Sequence, residues 1–402
     1  MQTPQETKIN LPKDFLFGAA SAAHQVEGNN TNSDWWEYEQ MGRLPRSGKA
    51  ADHYNRFEED FKIAKSVGLT AMRISLEWSR IEPEEGKWAV SEIEHYKKVL
   101  RKLKELGLKR MVTLHHYTLP QWVMDRGGFE TKQGVEAFAR FSWFIAQNLG
   151  AEIDFWITIN EPELYALMAY QRGIFPPFKK NNLSAFKVLK NLIRAHKSSY
   201  KAIKEARPEA LISIAKNSAF YEPYRKDNFL DRVVAFISNK LGNHYFLDKI
   251  KHQMDFIGLN YYFYRSLKFD FKTGYQVMNS QELPKSDMGW QTYPEGIYYL
   301  LKDYKKYKKP IYITENGIAN AADDMRSDFI RQHLYWIGKA MDFGIEVKGY
   351  FYWSLTDTFE WENGFDPKFG LVEVNFETME RKIRKSAYTF EELRKVREKE
   401  KA

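Results

Sequence analysis

The 402-residue chain contains no cysteine. That excludes disulfides and thiolate metal sites and suits a reducing compartment. It has no apolar run long enough to span a bilayer, and its opening "MQTPQETKINLPKDF" lacks the apolar core of a secretion signal. A soluble, cytoplasmic protein without a membrane partner is expected. Blocks of one charge sign are missing too. The net charge of +8 is spread over mixed-sign stretches such as "KNLIRAHKSSYKAIKEARPE" and "LRKVREKEKA", which read as solvated helix faces rather than a phosphate track, so no nucleic-acid partner is expected. There is also no low-complexity linker to mark a domain break. Aromatics, in contrast, are plentiful at 16%. Core packing accounts for most of them, and stacking on flat apolar ligand faces is the alternative use.

Short β-rich segments alternate with longer helical patterns. The strand candidates are "FLFGAAS" (15–21), "TAMRIS" (70–75), "KRMVTLHH" (109–116), "DFWITIN" (154–160), "ALISIAKN" (210–217), "DFIGLNYY" (255–262), "PIYIT" (310–314) and "VKGYFYWS" (347–354). They are almost continuously apolar, as parallel strands covered on both faces must be. Amphipathic patterns fill the gaps. "HYNRFEEDFKIAKSVG" stops at Gly68, and "SEIEHYKKVLRKLKELG" is expected to open on an Ser91 cap, with Glu94 three residues on, and to end at Gly107. Further helices are expected near 131–149, 184–206, 323–343 and 386–398. Eight strand–helix beats predict an α/β fold, a single (β/α)8 TIM barrel over residues 10–398, with 1–9 and 399–402 as flexible termini. A doubly wound open sheet is the alternative, weakened by the lack of a Gly-rich phosphate loop after the first strand.

In a barrel of this kind the carboxyl ends of the strands share one face, where catalytic side chains gather. Here the polar residues at or near those ends include Gln25, Arg73, His115, His116, Asn160, Glu161, Asn260, Tyr262, Glu315 and Trp353. Glu161 follows "FWITIN" and Glu315 follows "PIYIT". Either glutamate alone reads best as a helix-start acid or a partner of Arg73. Both together, each beside an asparagine, match the two carboxyls needed to cleave a glycosidic bond. Arg73 by charge and Tyr262 by hydrogen bonding would keep Glu315 ionised, while a second carboxylate and desolvation would raise Glu161. Adjacent histidines on a strand point to opposite faces, so His115 and His116 cannot jointly chelate a metal, and no metal site is expected.

The segments "FLFGAASAAHQVEG", "MRISLEWSRIEP", "LHHYTLPQW", "TINEP", "FIGLNYY", "ITENG" and "GYFYWSLTDTFEWENGF", followed by "FGL", resemble glycoside hydrolase family 1, the β-glucosidase and β-glycosidase family, in family order across nearly the whole chain. The resemblance implies Glu161 as general acid/base and Glu315 as nucleophile, positioned by Arg73 and Tyr262. It further implies sugar contacts from Gln25, His116, Tyr117, Asn160, Asn260, Trp353, Glu360, Trp361 and Phe369. No cofactor is implied, and the partners are small-molecule β-glycosides, with a monomer or a homo-oligomer both open.

Three departures from the family pattern stand out. Tyr117 occupies a position where Trp or Phe is usual, His24 one where Tyr is usual. The chain also looks shortened near 218–253 and after "TENG", so a more open leaving-group side is expected. A phospho-β-glycosidase is disfavoured by Glu360, since that branch usually has Ser there. A transglycosylase and a low-activity, sugar-binding barrel remain as alternatives.

Overall fold

A computed structural model describes residue 9 and residues 11–399, and the side chains among these up to residue 395. The termini expected to be flexible fall outside the described residues except for Ile9 and Lys399. Among the described residues eleven strands follow in chain order: β1 (Leu16–Ala20), β2 (Ala71–Ser75), β3 (Lys109–His115), β4 (Phe155–Asn160), β5 (Leu211–Pro223), β6 (Ile257–Asp270), β7 (Gly274–Met278), β8 (Ile311–Asn316), β9 (Val347–Trp353), β10 (Val372–Val374) and β11 (Arg381–Ile383). Strands β1 to β6, β8 and β9 pair in parallel, and the β9–β1 and β5–β6 pairings close them into a ring. The barrel expected from eight beats is therefore present, and the open-sheet alternative is not.

The apolar runs are explained by burial on both sides. Along β2, Met72 and Ile74 pack outward with the helices, while Ala71 joins the cluster inside the barrel. Arg73 lies on the inward row too, so a cation is carried into the centre of the fold by strand alternation alone.

Two expectations are corrected. The helix read as capped by Ser91 spans Val90–Glu105, with Ala89 at its N-cap and no side-chain cap, so Ser91 sits inside the first turn. Where a polar cap is present, at Thr131 before the helix Lys132–Leu149, its hydroxyl accepts from the Gly134 amide. Second, the strands expected over 210–217 and 255–262 run further, as β5 to Pro223 and β6 to Asp270. β5 and β6 stay paired as far as Pro223 and Leu267, and β7 adds to β6 as an antiparallel hairpin. The strand signal stopped short because the outer residues are only partly buried and lose the continuous apolar pattern.

The chain after β9 returns over the barrel mouth and is pinned by a buried ion pair. Arg384 donates through Nη1 and Nη2 to Oδ1 and Oδ2 of Asp357, both at 2.9 Å, and Asp357 also accepts from the Gly370 amide. Removing the cation would strand a buried carboxylate. Arg384→Met is expected to lower unfolding free energy by about 3–5 kcal/mol, read from urea unfolding. A loss below about 1 kcal/mol would mean that the pair behaves as a solvated surface bridge.

Candidate active site

At the carboxyl ends of the strands lies a cleft of about 400 Å³. Its lining includes Gln25, His116, Tyr117, Asn160, Glu161, Tyr262, Glu315, Trp353, Glu360, Trp361 and Phe369. Arg73 and Asn260 are not at the surface of the cleft; both are buried beneath it. His115 lies in the wall, edge-on to Phe129 and Tyr165. The adjacent histidines thus diverge as strand geometry requires.

Glu161 is delivered by an abrupt change of backbone. β4 ends at Asn160, Glu161 takes a left-handed conformation with φ of 44°, and Pro162 opens a short helix. Glu315 lies within β8, and the glycine two residues on is needed for space. A Cβ on Gly317 would sit 2.0 Å from the Trp353 carbonyl oxygen, so "TENG" packs its backbone directly against the end of β9.

The two carboxylates have different partners. Arg73 Nη1 donates to Glu315 Oε1 at 2.5 Å and the Tyr262 hydroxyl donates to Oε2 at 2.9 Å. Glu161 accepts from Asn260 Nδ2 at 2.9 Å through Oε1 and from the Tyr117 hydroxyl through Oε2. Asn160 joins the halves: its Oδ1 accepts from Arg73 Nη2 at 2.8 Å and from Asn260 Nδ2 at 3.2 Å. Those two donors fix the Asn160 amide, which turns its Nδ2 toward His116 Nε2 at 3.2 Å. Thr314 Oγ1 donates to Asn260 Oδ1. Every polar group of Asn260 is used in this web, which accounts for its absence from the cleft lining.

Burial raises Glu315 above the ordinary carboxylate range; Arg73 opposes this, the charge of Glu161 adds to it, and the Tyr262 bond opposes it. Two adjacent carboxylates in a low-dielectric pocket cannot both ionise cheaply, so the pair tends to retain a proton. His116 is held well below its usual range by burial and then by Arg73, so it is neutral. With Nε2 accepting from Asn160, the ring proton lies on Nδ1.

Several groups point to a polyhydroxylated ligand. Gln25 donates to the Phe359 carbonyl at 2.8 Å, but its Oε1 is buried with no partner, and so is His116 Nδ1. Each such orphan costs roughly 1–3 kcal/mol until a ligand satisfies it. Glu360 accepts from Trp353 Nε1 at 3.0 Å and Thr358 Oγ1 at 2.5 Å, both on Oε1, leaving Oε2 for the cleft. Burial pushes Glu360 up to about 8, so its carboxyl carries a proton near neutrality. Trp353 stacks on the His116 ring at 5.8 Å and contributes an apolar wall. Among the described residues no cluster of acidic or histidine side chains is arranged to hold a metal, and no helix is long and apolar enough to cross a membrane.

Sequence reasoning missed the outer cleft. Phe263, Arg265, Met288, Trp290, Met168 and Phe175 also line the cleft. Phe263 and Arg265 belong to the outer part of β6, where "YYFYR" continues the strand past the polar Asn260; reading that aromatic run as strand would have found them. No local pattern marks the others.

The family model described as glycosyl hydrolase family 1 matches residues 7–251 and 243–399. A 1,4-beta-D-glucan glucohydrolase of Thermotoga neapolitana is 32% identical, over 94% of this chain and 97% of that protein. The solved beta-glycosidase from Pyrococcus horikoshii superposes with a TM-score of 0.91 at 39% identity, covering 96% of both chains. A beta-glucosidase from Thermotoga maritima in complex with glucoimidazole gives 0.91 at 30% identity, over 96% of this chain and 99% of that one.

Proposed function

The chain belongs to glycosyl hydrolase family 1 and is a retaining β-glucosidase by that membership, and we propose that Glu315 is its nucleophile and Glu161 its acid/base. The observation that carries this assignment is the asymmetry of their partners. A guanidinium rests on Glu315, whereas Glu161 receives only neutral donors. The guanidinium favours negative charge on Glu315, the form that attacks, and leaves the proton-donor role to Glu161 with its neutral partners.

In the first step an oxygen of Glu315 bonds to the anomeric carbon while the bond to the leaving oxygen breaks, and Glu161 passes its proton to that oxygen. In the second step Glu161, now a carboxylate, takes a proton from water as the water oxygen bonds to the anomeric carbon and the ester to Glu315 breaks. All the proton and electron movements are met by the two carboxyls, so the reading requires no cofactor. We propose too that the barrel over 10–398 works as one domain.

The glycone is read from the orphaned groups. Gln25 Oε1, His116 Nδ1 and the free oxygen of Glu360 can meet sugar hydroxyls, and Trp353 can face the ring's apolar side. Among the described residues, Glu360 has Trp353 and Thr358 as its side-chain partners and pairs with no cation. A carboxyl at that position offers a 6-phosphate no charge partner, which favours unphosphorylated glucosides, with galactosides and fucosides as further substrates.

Glu360→Ser is therefore expected to raise KM and lower kcat for aryl β-D-glucosides, by about 10²-fold in kcat/KM, since hydroxyl contacts tighten in the transition state. Steady-state kinetics on glucoside, galactoside, fucoside and 6-phosphoglucoside checks both points. A clear preference of the unmodified protein for the 6-phosphoglucoside would reverse the reading of Glu360.

A further inference from the structure

Tyr117, expected to contact sugar, lines the cleft, and its hydroxyl is engaged by a protein carboxyl. The hydroxyl donates to Oε2 of Glu161, the carboxyl read above as the acid/base. The residue is 4% exposed and left-handed, with φ of 73°, a conformation costly for a bulky side chain. The ring is held edge-on to Trp361 at 5.2 Å, tilted on Phe175 at 5.4 Å and stacked with Tyr165 at 6.4 Å. Packing from three sides therefore fixes where the hydroxyl lies.

We propose that Tyr117 is a positioning residue for Glu161: its hydroxyl fixes the plane of the carboxyl and stabilises the ionised form required by the second half-reaction. The proposal rests on the assignment of Glu161 as acid/base. Asn260 holds Oε1 from one side and Tyr117 holds Oε2 from the other, so the carboxyl cannot rotate freely. The two donors differ chemically. The Asn260 amide hydrogens are committed to Glu161 and Asn160, whereas a phenol hydroxyl can donate to a carboxylate and accept from a protonated carboxyl. Tyr117 can thus follow the proton through both steps.

The other charged and titratable groups around Glu161 are Glu315 on β8, Tyr262 on β6, and Arg73 on β2 acting through Asn160. Behind it are Glu163 on the following helix and Lys216 on β5, which form an ion pair at 3.2 Å. None of these groups donates directly to Glu161, whose side-chain donors are Asn260 and Tyr117. Burial, followed by the charge of Glu161, pushes the Tyr117 phenol well above its usual range, so it stays a donor at any working pH.

The test is the pH profile of kcat/KM, which reports the free enzyme. Tyr117→Phe removes the donor and should move the alkaline limb up by about one pH unit, the scale of one hydrogen bond to a charge, while the acid limb stays. Tyr262→Phe should do the reverse, moving the acid limb up and leaving the alkaline limb, because Glu315 is already ionised when Glu161 loses its proton. Site-specific 3-fluorotyrosine at position 117, a stronger donor of nearly unchanged shape, should move the alkaline limb down even if Tyr117→Phe folds poorly. An alkaline limb unmoved by fluorotyrosine, or one that moves down in folded Tyr117→Phe, overturns the proposal. The Glu161→Ala variant separates the two readings. If azide yields a β-glycosyl azide while the limb does not respond to position 117, the acid/base assignment stands and only the role of Tyr117 falls.

Discussion

Glu315→Ala is expected to reduce kcat on every β-glycoside by roughly 10⁴–10⁶-fold, whatever the leaving group, because it removes the atom that bonds to the anomeric carbon. Alanine also removes the acceptor of Arg73 Nη1 and of the Tyr262 hydroxyl. Glu315→Gln keeps a polar group for both, so it should fold like the wild type and remain inactive. A full loss in Gln at an unchanged melting temperature would separate chemistry from folding. Proton NMR of wild-type hydrolysis supplies the stereochemical half. The β-anomer should appear first, followed by mutarotation, as a glycosyl ester on Glu315 requires. If the α-anomer came first, or if Glu315→Gln kept within about tenfold of wild-type activity, Glu315 would not be the nucleophile.

Glu161→Ala should fail in a different way. Removing only the proton donor leaves attack by Glu315 intact, so substrates with acidic phenols should still form the glycosyl-enzyme. Glucosides with poor leaving groups should lose about 10²–10⁴-fold, the usual contribution of general acid catalysis. The second step then lacks its base, and intermediate should accumulate as a burst. The structure favours rescue by azide for a specific reason. Truncation leaves the Asn260 amide and the Tyr117 hydroxyl directed at the emptied space, two donors that suit a small anion. Azide needs no deprotonation and should give the β-glycosyl azide, identifiable by mass and anomeric coupling. A loss independent of leaving-group acidity, with no azide product, would remove Glu161 from the acid/base role.

These outcomes depend on contacts that the sequence did not reveal equally. Both glutamates stand next to asparagine, and the local patterns look alike. Yet Asn160 is the hub that ties Arg73, Asn260 and His116 together, whereas Asn316 accepts from the Tyr350 hydroxyl and donates to the Tyr261 carbonyl, bracing neighbouring strands. Asn260 was expected as a ligand contact because it stands near the end of a strand segment and because the family resemblance implies it. It proved to be buried, since the strand carries on beyond it to Asp270. Phe263 and Arg265 were overlooked for a related reason: the half-buried outer part of that strand lacks a continuous apolar run.

What the sequence by itself determined was the barrel and the pair of carboxyls. Strands covered on both faces must be continuously apolar, helices laid over them must repeat at 3.6 residues, and a glutamate at the end of such a strand has nowhere to go but the shared face. These are consequences of neighbours in the chain. Only the tertiary structure decided which donor serves which carboxylate. Arg73 reaches Glu315 across 242 positions, Asn260 reaches Glu161 across 99, and Tyr117 reaches it across 44. Such contacts follow from the closure and stagger of the ring, which bring together side chains whose local patterns say nothing of one another.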